Sequence, residues 1–200
     1  ASQKPETFGG YHFQVLDSDE IHAFAAPGGL ILVSRGLLRC CKSEDALAAV
    51  LAHEIGHVEG AHGLRAIKKS RWTSAFTILG AETAKSLGGQ QLAELTTAFE
   101  GAIGDVTATM VNSGYARKLE SEADAVAITI LKRVGYNLAA LSSMLTEMGK
   151  QLDHDERGFA KTHPAPADRI ADIAPMIGTA SEIAVQKQRT ARFKHTLGNI

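Results

Sequence analysis

Two histidines and a glutamate stand at a spacing that can hold and use a metal ion. His53 and His57 are four residues apart, so on a helix both imidazoles project from one face. Zinc takes nitrogen ligands and leaves a fourth position for water, and Glu54 can accept a proton from that water as a general base. A chance match is the alternative, but the apolar neighbours Leu51 and Val58 place the motif inside a helix rather than on a charged surface. We therefore predict one zinc ion per chain.

A catalytic zinc site needs a third protein ligand, and one candidate is local. In the pattern H-E-x-x-H-x-x-G-x-x-H, a glycine turn returns a third histidine to the metal. Gly60 fits the glycine position, but Gly63 stands where the histidine is needed, and His62 comes one residue early. Because metal coordination tolerates such a shift poorly, we expect His62 to be structural or solvent-facing.

The second candidate for the third ligand is distant in sequence. Glu120 and Asp124 are four residues apart in a predicted helix over residues 118–134. On a helical wheel Glu120 falls inside the apolar stripe and Asp124 at its edge, and carboxylates are rarely buried unless paired or metal-bound. This predicts Glu120 as the third ligand, with Asp124 holding the free ring N–H of a ligand histidine. The alternative is a helix-edge carboxylate paired with an arginine such as Arg117.

A third histidine precedes a proline and lies between a polar loop and a predicted helix. Pro164 restricts His163 to an extended conformation. A histidine fixed near zinc could donate to a developing oxyanion. It could equally occupy the open coordination position and switch the site off, or it could be a loop histidine without a role.

The elements that must position these residues are a few strands followed by many helices. Short apolar segments bounded by turn residues predict strands: residues 11–16, 21–26 and 30–33, with a bend at Pro27-Gly28-Gly29. Helices are predicted with Ser43 as N-cap and an end near Gly60, over 116–134 with Gly135 as C-terminal stop, from Asn137 to about 151, from Pro166 onward, and over 181–197. We predict a single α+β domain over residues 1–200, mostly helical, with a small N-terminal sheet and a catalytic core of about 11–177.

The composition argues against several kinds of partner. The formal net charge of −1 over 200 residues offers no basic field for nucleic acid. No apolar run is long enough to span a bilayer and no leader is recognisable, although one or two amphipathic helices within residues 66–112 could contact a membrane. Cys40 and Cys41 are too close to bridge each other, so we expect two small buried residues.

Four segments together resemble the zinc metallopeptidase family that includes the CAAX prenyl endopeptidase, HtpX, Oma and BepA. The segments are Ala23 to Gly29, His53 to His57, Arg117 with Glu120 to Asp124, and His163-Pro164 with Arg169. They occur in the family's order and cover most of residues 20–175, so the combination is more specific than H-E-x-x-H alone. The chain looks like the soluble, BepA- or Oma-like catalytic core.

This resemblance implies a zincin-type fold of the gluzincin class and a role for each matched residue. The implied zinc ligands are His53, His57 and Glu120, with Glu54 as catalytic base. His163 and Arg169 would act at the substrate or the transition state. In BepA-like members a histidine at the His163 position can cap the zinc and hold the enzyme inactive.

The resemblance also implies a substrate and a place of action. The segment from Gly28 to Val33 is similar to the edge strand that pairs with an extended peptide, so Gly28, Gly29, Leu30 and Ile31 would contact the substrate. We expect a zinc-dependent endopeptidase that acts on proteins or peptides in envelope protein quality control, in the periplasm or cell envelope. The alternative is a latched zinc-binding chaperone or adaptor module without turnover.

Overall fold

The computed structural model describes residues 7, 9–66, 115–152, 163, 166–178 and 187–198. A three-stranded sheet forms from β1 (His12–Leu16), β2 (Ala23–Ala25) and β3 (Leu30–Ser34) in the order β1-β3-β2. β1 runs parallel to β3, and β2 runs antiparallel to it. The turn between β2 and β3 has positive φ at Gly28 and Gly29, a conformation that favours glycine. The three strands and the bend confirm the predicted N-terminal sheet.

The central position of β3 contradicts the prediction that Leu30 and Ile31 lie on an edge strand. Leu30 pairs with His12 of β1, and Ile31 pairs with Phe13 of β1 on one side and with Ala25 of β2 on the other. Ile31 is fully buried. A continuous apolar run is typical of a strand covered on both faces, and that signal outweighs the edge assignment. Among the three described strands, β2 is the edge strand that packs against the helix beginning after Ser43.

A short helix that the sequence did not predict follows β3 directly. Helix α1 (Arg35–Cys40) begins at Ser34, whose Oγ accepts a hydrogen bond from the Leu37 amide at 3.1 Å. Ser34 is therefore both the last residue of a strand and an N-cap, which hides the helix from a periodicity argument. The thiols of Cys40 and Cys41 at its end are free and buried, as expected.

Two long helices carry most of the candidate site. Helix α2 (Glu44–Glu59) is capped by Ser43, whose Oγ accepts from the Ala46 amide at 3.1 Å. Helix α3 (Arg117–Val134) ends at Gly135, which adopts a left-handed conformation with φ of 76°. Both helices, the serine cap and the glycine stop confirm the prediction.

Residues 62–66 are also helical, and three further helices follow α3. They are α4 (Ala139–Leu152), α5 (Pro166–Ile177) and α6 (Lys187–Leu197). Asn137 Oδ1 accepts from the Ala139 amide at 3.0 Å, as its predicted capping role requires. The predicted helical segments at 181–186 and at 67–112 lie outside the described residues. None of the described helices is long and apolar enough to cross a membrane.

Helix α2 lies between two apolar clusters and contributes to both. The first cluster joins α2 residues such as Val50 and Val58 to the sheet, α1 and the methionines of α4. The second joins Ala49 and Ala52 to apolar side chains of α3, α4 and α5 such as Leu131. With apolar partners on both sides, the middle of α2 is the centre of an α+β, mostly helical fold.

Helices α2 and α3 touch backbone to backbone at Gly56. A Cβ added there would lie 2.6 Å from the carbonyl oxygen and 2.9 Å from the Cα of Ala123. Only a glycine permits that approach. Because Glu120 lies one turn before Ala123 on α3, the close crossing carries its carboxylate to His53 and His57.

We expect Gly56→Ala to lower the free energy of unfolding by about 1–3 kcal/mol, since the added methyl group must push two packed helices apart. Gly149→Ala in α4 is the matched control. Its Cβ would meet only ordinary contacts, the nearest at 3.7 Å from Pro166, so helix propensity should make it neutral or stabilising by up to about 1 kcal/mol. Urea unfolding measures both variants, and equal effects would contradict the backbone contact.

Candidate metal centre

Four buried side chains converge on one point at the centre of the fold. His53 and His57 come from α2, Glu120 comes from α3, and His163 precedes α5. One ligand atom from each lies within 4.8 Å of the other three. All four side chains are less than 5% exposed. The structure thus brings together the three predicted ligands and the histidine whose role the sequence left open.

The distances between these atoms suit a shared cation. His53 Nε2 and His57 Nε2 are 3.0 Å apart. Glu120 Oε2 lies 3.4 Å from His53 Nε2, and Glu120 Oε1 lies 3.3 Å from His57 Nε2. Within the described residues, no donor makes a hydrogen bond of good geometry to Glu120 Oε1. Two imidazole nitrogens and a carboxylate oxygen form a donor set that suits zinc.

The contact at Nδ1 of His53 determines whether Nε2, the nitrogen that faces the cluster, carries a lone pair. His53 Nδ1 lies 2.8 Å from Asp124 Oδ1. Arg169 Nη2 lies farther from His53 Nδ1, at 3.1 Å, and already donates to Asp124. Because an ionised carboxylate can only accept, the shorter contact with Asp124 favours a proton on His53 Nδ1, and the neutral ring then presents a lone pair at Nε2. Asp124 therefore occupies the place in which the sequence predicts it, behind a ligand histidine.

Asp124 is itself held by a buried arginine, Arg169. Arg169 donates from Nε to Asp124 Oδ2 at 3.0 Å and from Nη2 to Asp124 Oδ1 at 2.6 Å. Its side chain is 3% exposed. Burial raises the pKa of Asp124, but His53 and Arg169 outweigh it and hold that pKa below the usual range. These contacts favour a positioning role for Arg169 over the direct action on substrate that the resemblance implies.

His163 is held against the glutamate of the cluster. Its Nδ1 lies 2.7 Å from Glu120 Oε2, and its ring packs edge-on to His53 with centroids 5.3 Å apart. Burial lowers the pKa of His163 although the Glu120 carboxylate raises it, and the net lowering favours the neutral ring that a metal ligand requires. His163 thus lies within the group of possible ligands rather than on a loop surface.

Glu54 lies beside the cluster and is buried to 1% exposure. Its Oε1 has no hydrogen-bond partner in the described part of the chain, so one oxygen remains able to accept a proton. Burial raises the pKa of Glu54 to about 7. A carboxylate with that basicity suits a general base near neutral pH.

The charges of the ligands themselves depend on one another. Burial alone would raise the pKa of Glu120, but the three histidines around it outweigh burial and hold that pKa well below its usual range. Burial lowers the pKa of His57 to about 3. Burial and Arg169 lower the pKa of His53, but Asp124 and Glu120 outweigh both and raise it to about 9. In the metal-free protein a proton at His53 therefore competes with a metal ion for the site.

Comparison with known proteins places this site in a family. The model of Peptidase family M48 matches residues 1–177. The chain belongs to peptidase family M48. Zinc is the cofactor of M48 metallopeptidases, in agreement with the donor set and with the sequence prediction.

Several curated M48 relatives share 25–30% of their aligned residues with this chain. The beta-barrel assembly-enhancing protease of Escherichia coli K12 is 30% identical over 181 residues, which cover 86% of this chain and 37% of the relative. The mitochondrial metalloendopeptidase OMA1 of Schizosaccharomyces pombe is 30% identical over 82% of this chain and 45% of the relative. The metalloprotease LoiP of Escherichia coli K12 is 25% identical over 81% of this chain and 61% of the relative. The chain thus spans little more than a third of the length of the first of these relatives.

Arg169 offers a sharp test of how this M48 centre is supported. We expect Arg169→Ala to lower the free energy of unfolding by about 3–5 kcal/mol, because it leaves the buried Asp124 charge without its partner. Arg117→Ala is the control, since Arg117 is exposed and lies 3.5 Å from Asp168, and it should cost about 0–1 kcal/mol. Denaturant unfolding of the zinc-loaded protein measures both, and similar losses would contradict the supporting role.

His62 lies against His57 in this M48 chain. It is fully buried, and its Nδ1 lies 2.9 Å from His57 Nδ1. Of the two expected alternatives, a structural or a solvent-facing side chain, the structure supports the structural one. It agrees that His62 is not the third ligand, because the ring meets the side of His57 that points away from Glu120. The only sequence signal was a histidine about one turn beyond the end of the metal-binding helix.

The residues predicted to contact substrate are divided by the structure. Gly28 lines a pocket that His57 and Ala25 also line. Gly29 packs against the N-terminal segment, where an added Cβ would lie 2.4 Å from the carbonyl oxygen of Gly10. Of the four residues predicted to contact substrate, only Gly28 lies beside the M48 site, since Leu30 and Ile31 belong to the central strand.

Proposed function

We propose that this chain is a single catalytic domain of a zinc-dependent endopeptidase that hydrolyses peptide bonds in proteins. One observation carries the proposal. A buried cluster of four possible metal ligands lies beside Glu54, a buried carboxylate whose Oε1 accepts no hydrogen bond from any described residue. A structural metal site has no use for such a base, whereas hydrolysis requires one.

The residues divide the chemistry between them. His53, His57 and Glu120 would hold the zinc ion. When bound, zinc lowers the pKa of water and polarises a carbonyl group. Glu54 accepts a proton from the attacking water through Oε1 and then delivers it to the departing amine. Asp124 keeps His53 in the tautomer whose Nε2 faces the metal.

No other described strand pairs with the outer edge of β2, and this edge offers a place for an extended peptide. Hydrogen bonds join Ala26 N to Leu30 O at 2.8 Å and Ser34 N to His22 O at 2.9 Å. Because bonded pairs alternate along antiparallel strands, the peptide groups of Ala23 and Ala25 point away from β3. Ala25, which is partly exposed, would pair with the substrate backbone by strand addition, whereas Ala23 is buried.

A small pocket at the end of this edge would receive a substrate side chain. It lies between the turn from Ala25 to Gly28 and the end of α2 at His57 and Val58. Leu64 and Ala61 complete its apolar wall. The lining favours a small apolar side chain close to the scissile bond.

His163 supports a self-inhibited state. A catalytic zinc site has three protein ligands and an open fourth position, whereas a site with four protein ligands is closed. His163 lies 2.7 Å from the metal-binding carboxylate and within the ligand cluster. As the fourth ligand it would exclude water, so proteolysis would require this histidine to withdraw.

The same four-residue cluster also favours a second candidate, a latched zinc-binding chaperone or adaptor module without turnover. The two candidates differ in their behaviour once the latch is withdrawn. An enzyme cleaves protein after His163 is removed, and a module does not. The buried general base favours the enzyme.

We propose envelope protein quality control as the setting, in the periplasm or cell envelope. The support is similarity to proteins named beta-barrel assembly-enhancing protease in Escherichia coli and Yersinia pestis. A mitochondrial relative shows that the same domain also occurs in another compartment. Protein or peptide substrates agree with the names of these proteases.

Chelation followed by zinc restoration tests the proposed reaction. The His163→Ala variant is incubated with a denatured protein, and new amino termini are counted. We expect cleavage to stop when a chelator removes zinc and to return when one equivalent is added back. Cleavage that persists without zinc would contradict the mechanism, and no cleavage in any zinc-loaded form would favour the latched module.

A further inference from the structure

The two ligand histidines are both supported from behind, but by different groups. His53 is backed by Asp124, an acceptor that is common behind metal-binding histidines. His57 is backed by another histidine, His62, whose Nδ1 lies 2.9 Å from His57 Nδ1. Either Nδ1 can donate or accept, so the distance alone does not give the direction of this hydrogen bond.

Metal binding through Nε2 decides that direction. If His57 Nε2 gives its lone pair to the metal, the neutral ring carries its proton on Nδ1 and donates to His62. His62 Nδ1 must then accept. The proton of His62 consequently resides on Nε2, the nitrogen that faces away from the metal.

A carboxylate lies where that outer proton needs it. His62 Nε2 is 3.4 Å from Glu122 Oε2, which is long for a hydrogen bond but close enough for the negative charge to favour a proton on Nε2. Arg65 donates to Glu122 at both carboxylate oxygens, which keeps the carboxylate in place. The contacts thus run from His57 through His62 and Glu122 to Arg65.

The backbone is adapted to bring His62 into this position. Ala61 has a φ of 49°, a left-handed conformation that is rare for alanine. A Cβ on Gly60 would lie 2.1 Å from His62 Nε2, so the ring folds back over the end of α2 in space that only a glycine leaves. Tyr115 stacks on the His57 ring with centroids 4.2 Å apart, which fixes the ring plane.

From these contacts we infer that His62 is a positioning residue that, with Glu122, holds zinc ligand His57 in its Nδ1-protonated tautomer. The inference rests on the proposed metal site and adds a residue to it. Glu122 faces away from the apolar stripe of α3 and would otherwise be an ordinary half-exposed carboxylate. His62 touches neither metal nor substrate, and its effect is on how strongly zinc is held.

Zinc affinity measured by competition with a chromophoric chelator tests the inference without any activity assay. We expect His62→Phe, which keeps a ring but loses the acceptor, to weaken zinc binding by roughly 10- to 100-fold. His62→Asn, whose amide oxygen replaces Nδ1 as acceptor, should recover most of that loss. Glu122→Gln should cost less than His62→Phe. His195→Phe, the same change at an exposed position on α6, should leave affinity unchanged.

The zinc-loaded wild-type protein gives a readout that needs no variant. Nitrogen-15 NMR of the histidine rings should show the proton of His57 on Nδ1 and that of His62 on Nε2. A protonated Nδ1 on His62, or zinc affinity in His62→Phe within twofold of the wild type, would overturn the inference while the metal site stands. Wild-type protein that binds no zinc would overturn the site and the inference together.

Discussion

Replacing Glu54 by glutamine should strongly reduce peptide-bond cleavage while the zinc ion stays bound. Glutamine keeps the shape of the side chain but cannot accept the proton of the attacking water. Glu54 is not among the four residues whose ligand atoms converge, so zinc affinity should stay near that of the wild type. We expect kcat to fall by roughly 10²- to 10⁴-fold, the usual contribution of a general base.

The measurement is cleavage of a denatured protein, with zinc content determined on the same samples. Glu59→Gln is the matched control, because Glu59 lies at the exposed end of the same helix and accepts from the Tyr11 hydroxyl. It should leave both turnover and zinc unchanged. A fully active Glu54→Gln protein would show that another group takes the proton.

Replacing His163 by alanine should increase proteolysis. The substitution removes the fourth ligand and leaves His53, His57 and Glu120 to hold zinc, which opens a position for water. If the closed form holds about nine molecules in ten, the rate rises about tenfold, and more for a tighter latch. Initial rates of cleavage at equal zinc content measure the effect.

The control for this variant is His195→Ala, an exposed histidine on α6, which should leave the rate unchanged. A strong fall in kcat for His163→Ala would instead identify His163 as a donor to the oxyanion. That result would remove self-inhibition from the account and leave the metal ligands and Glu54 in place.

Local chemistry made much of the fold predictable. Three helix boundaries were predictable because a single residue begins or ends the helix through its own side chain or backbone conformation. These residues are Ser43, Asn137 and Gly135. Glu120 was predictable for another reason. A carboxylate inside an apolar stripe requires a partner, and the motif at His53 and His57 supplied one.

Other features were not predictable in detail, because distant segments or an unusual backbone conformation decide them. The central position of β3 depends on β1 pairing in parallel along its second edge, which the turn between β2 and β3 does not determine. The place of Arg169 depends on a contact with Asp124 across 45 residues. His62 reaches His57 through the left-handed conformation of Ala61. An alanine in a sequence does not predict that conformation.

The zinc content of the purified protein is the most direct test of the proposed metal centre. Wild-type protein is loaded with excess zinc, freed of unbound metal and analysed for elements, alongside Glu120→Gln treated in the same way. We expect about one zinc ion per wild-type chain and a markedly lower value for the variant, which loses a charged ligand. Wild-type protein with no retained zinc, or a variant that retains as much as the wild type, would contradict it.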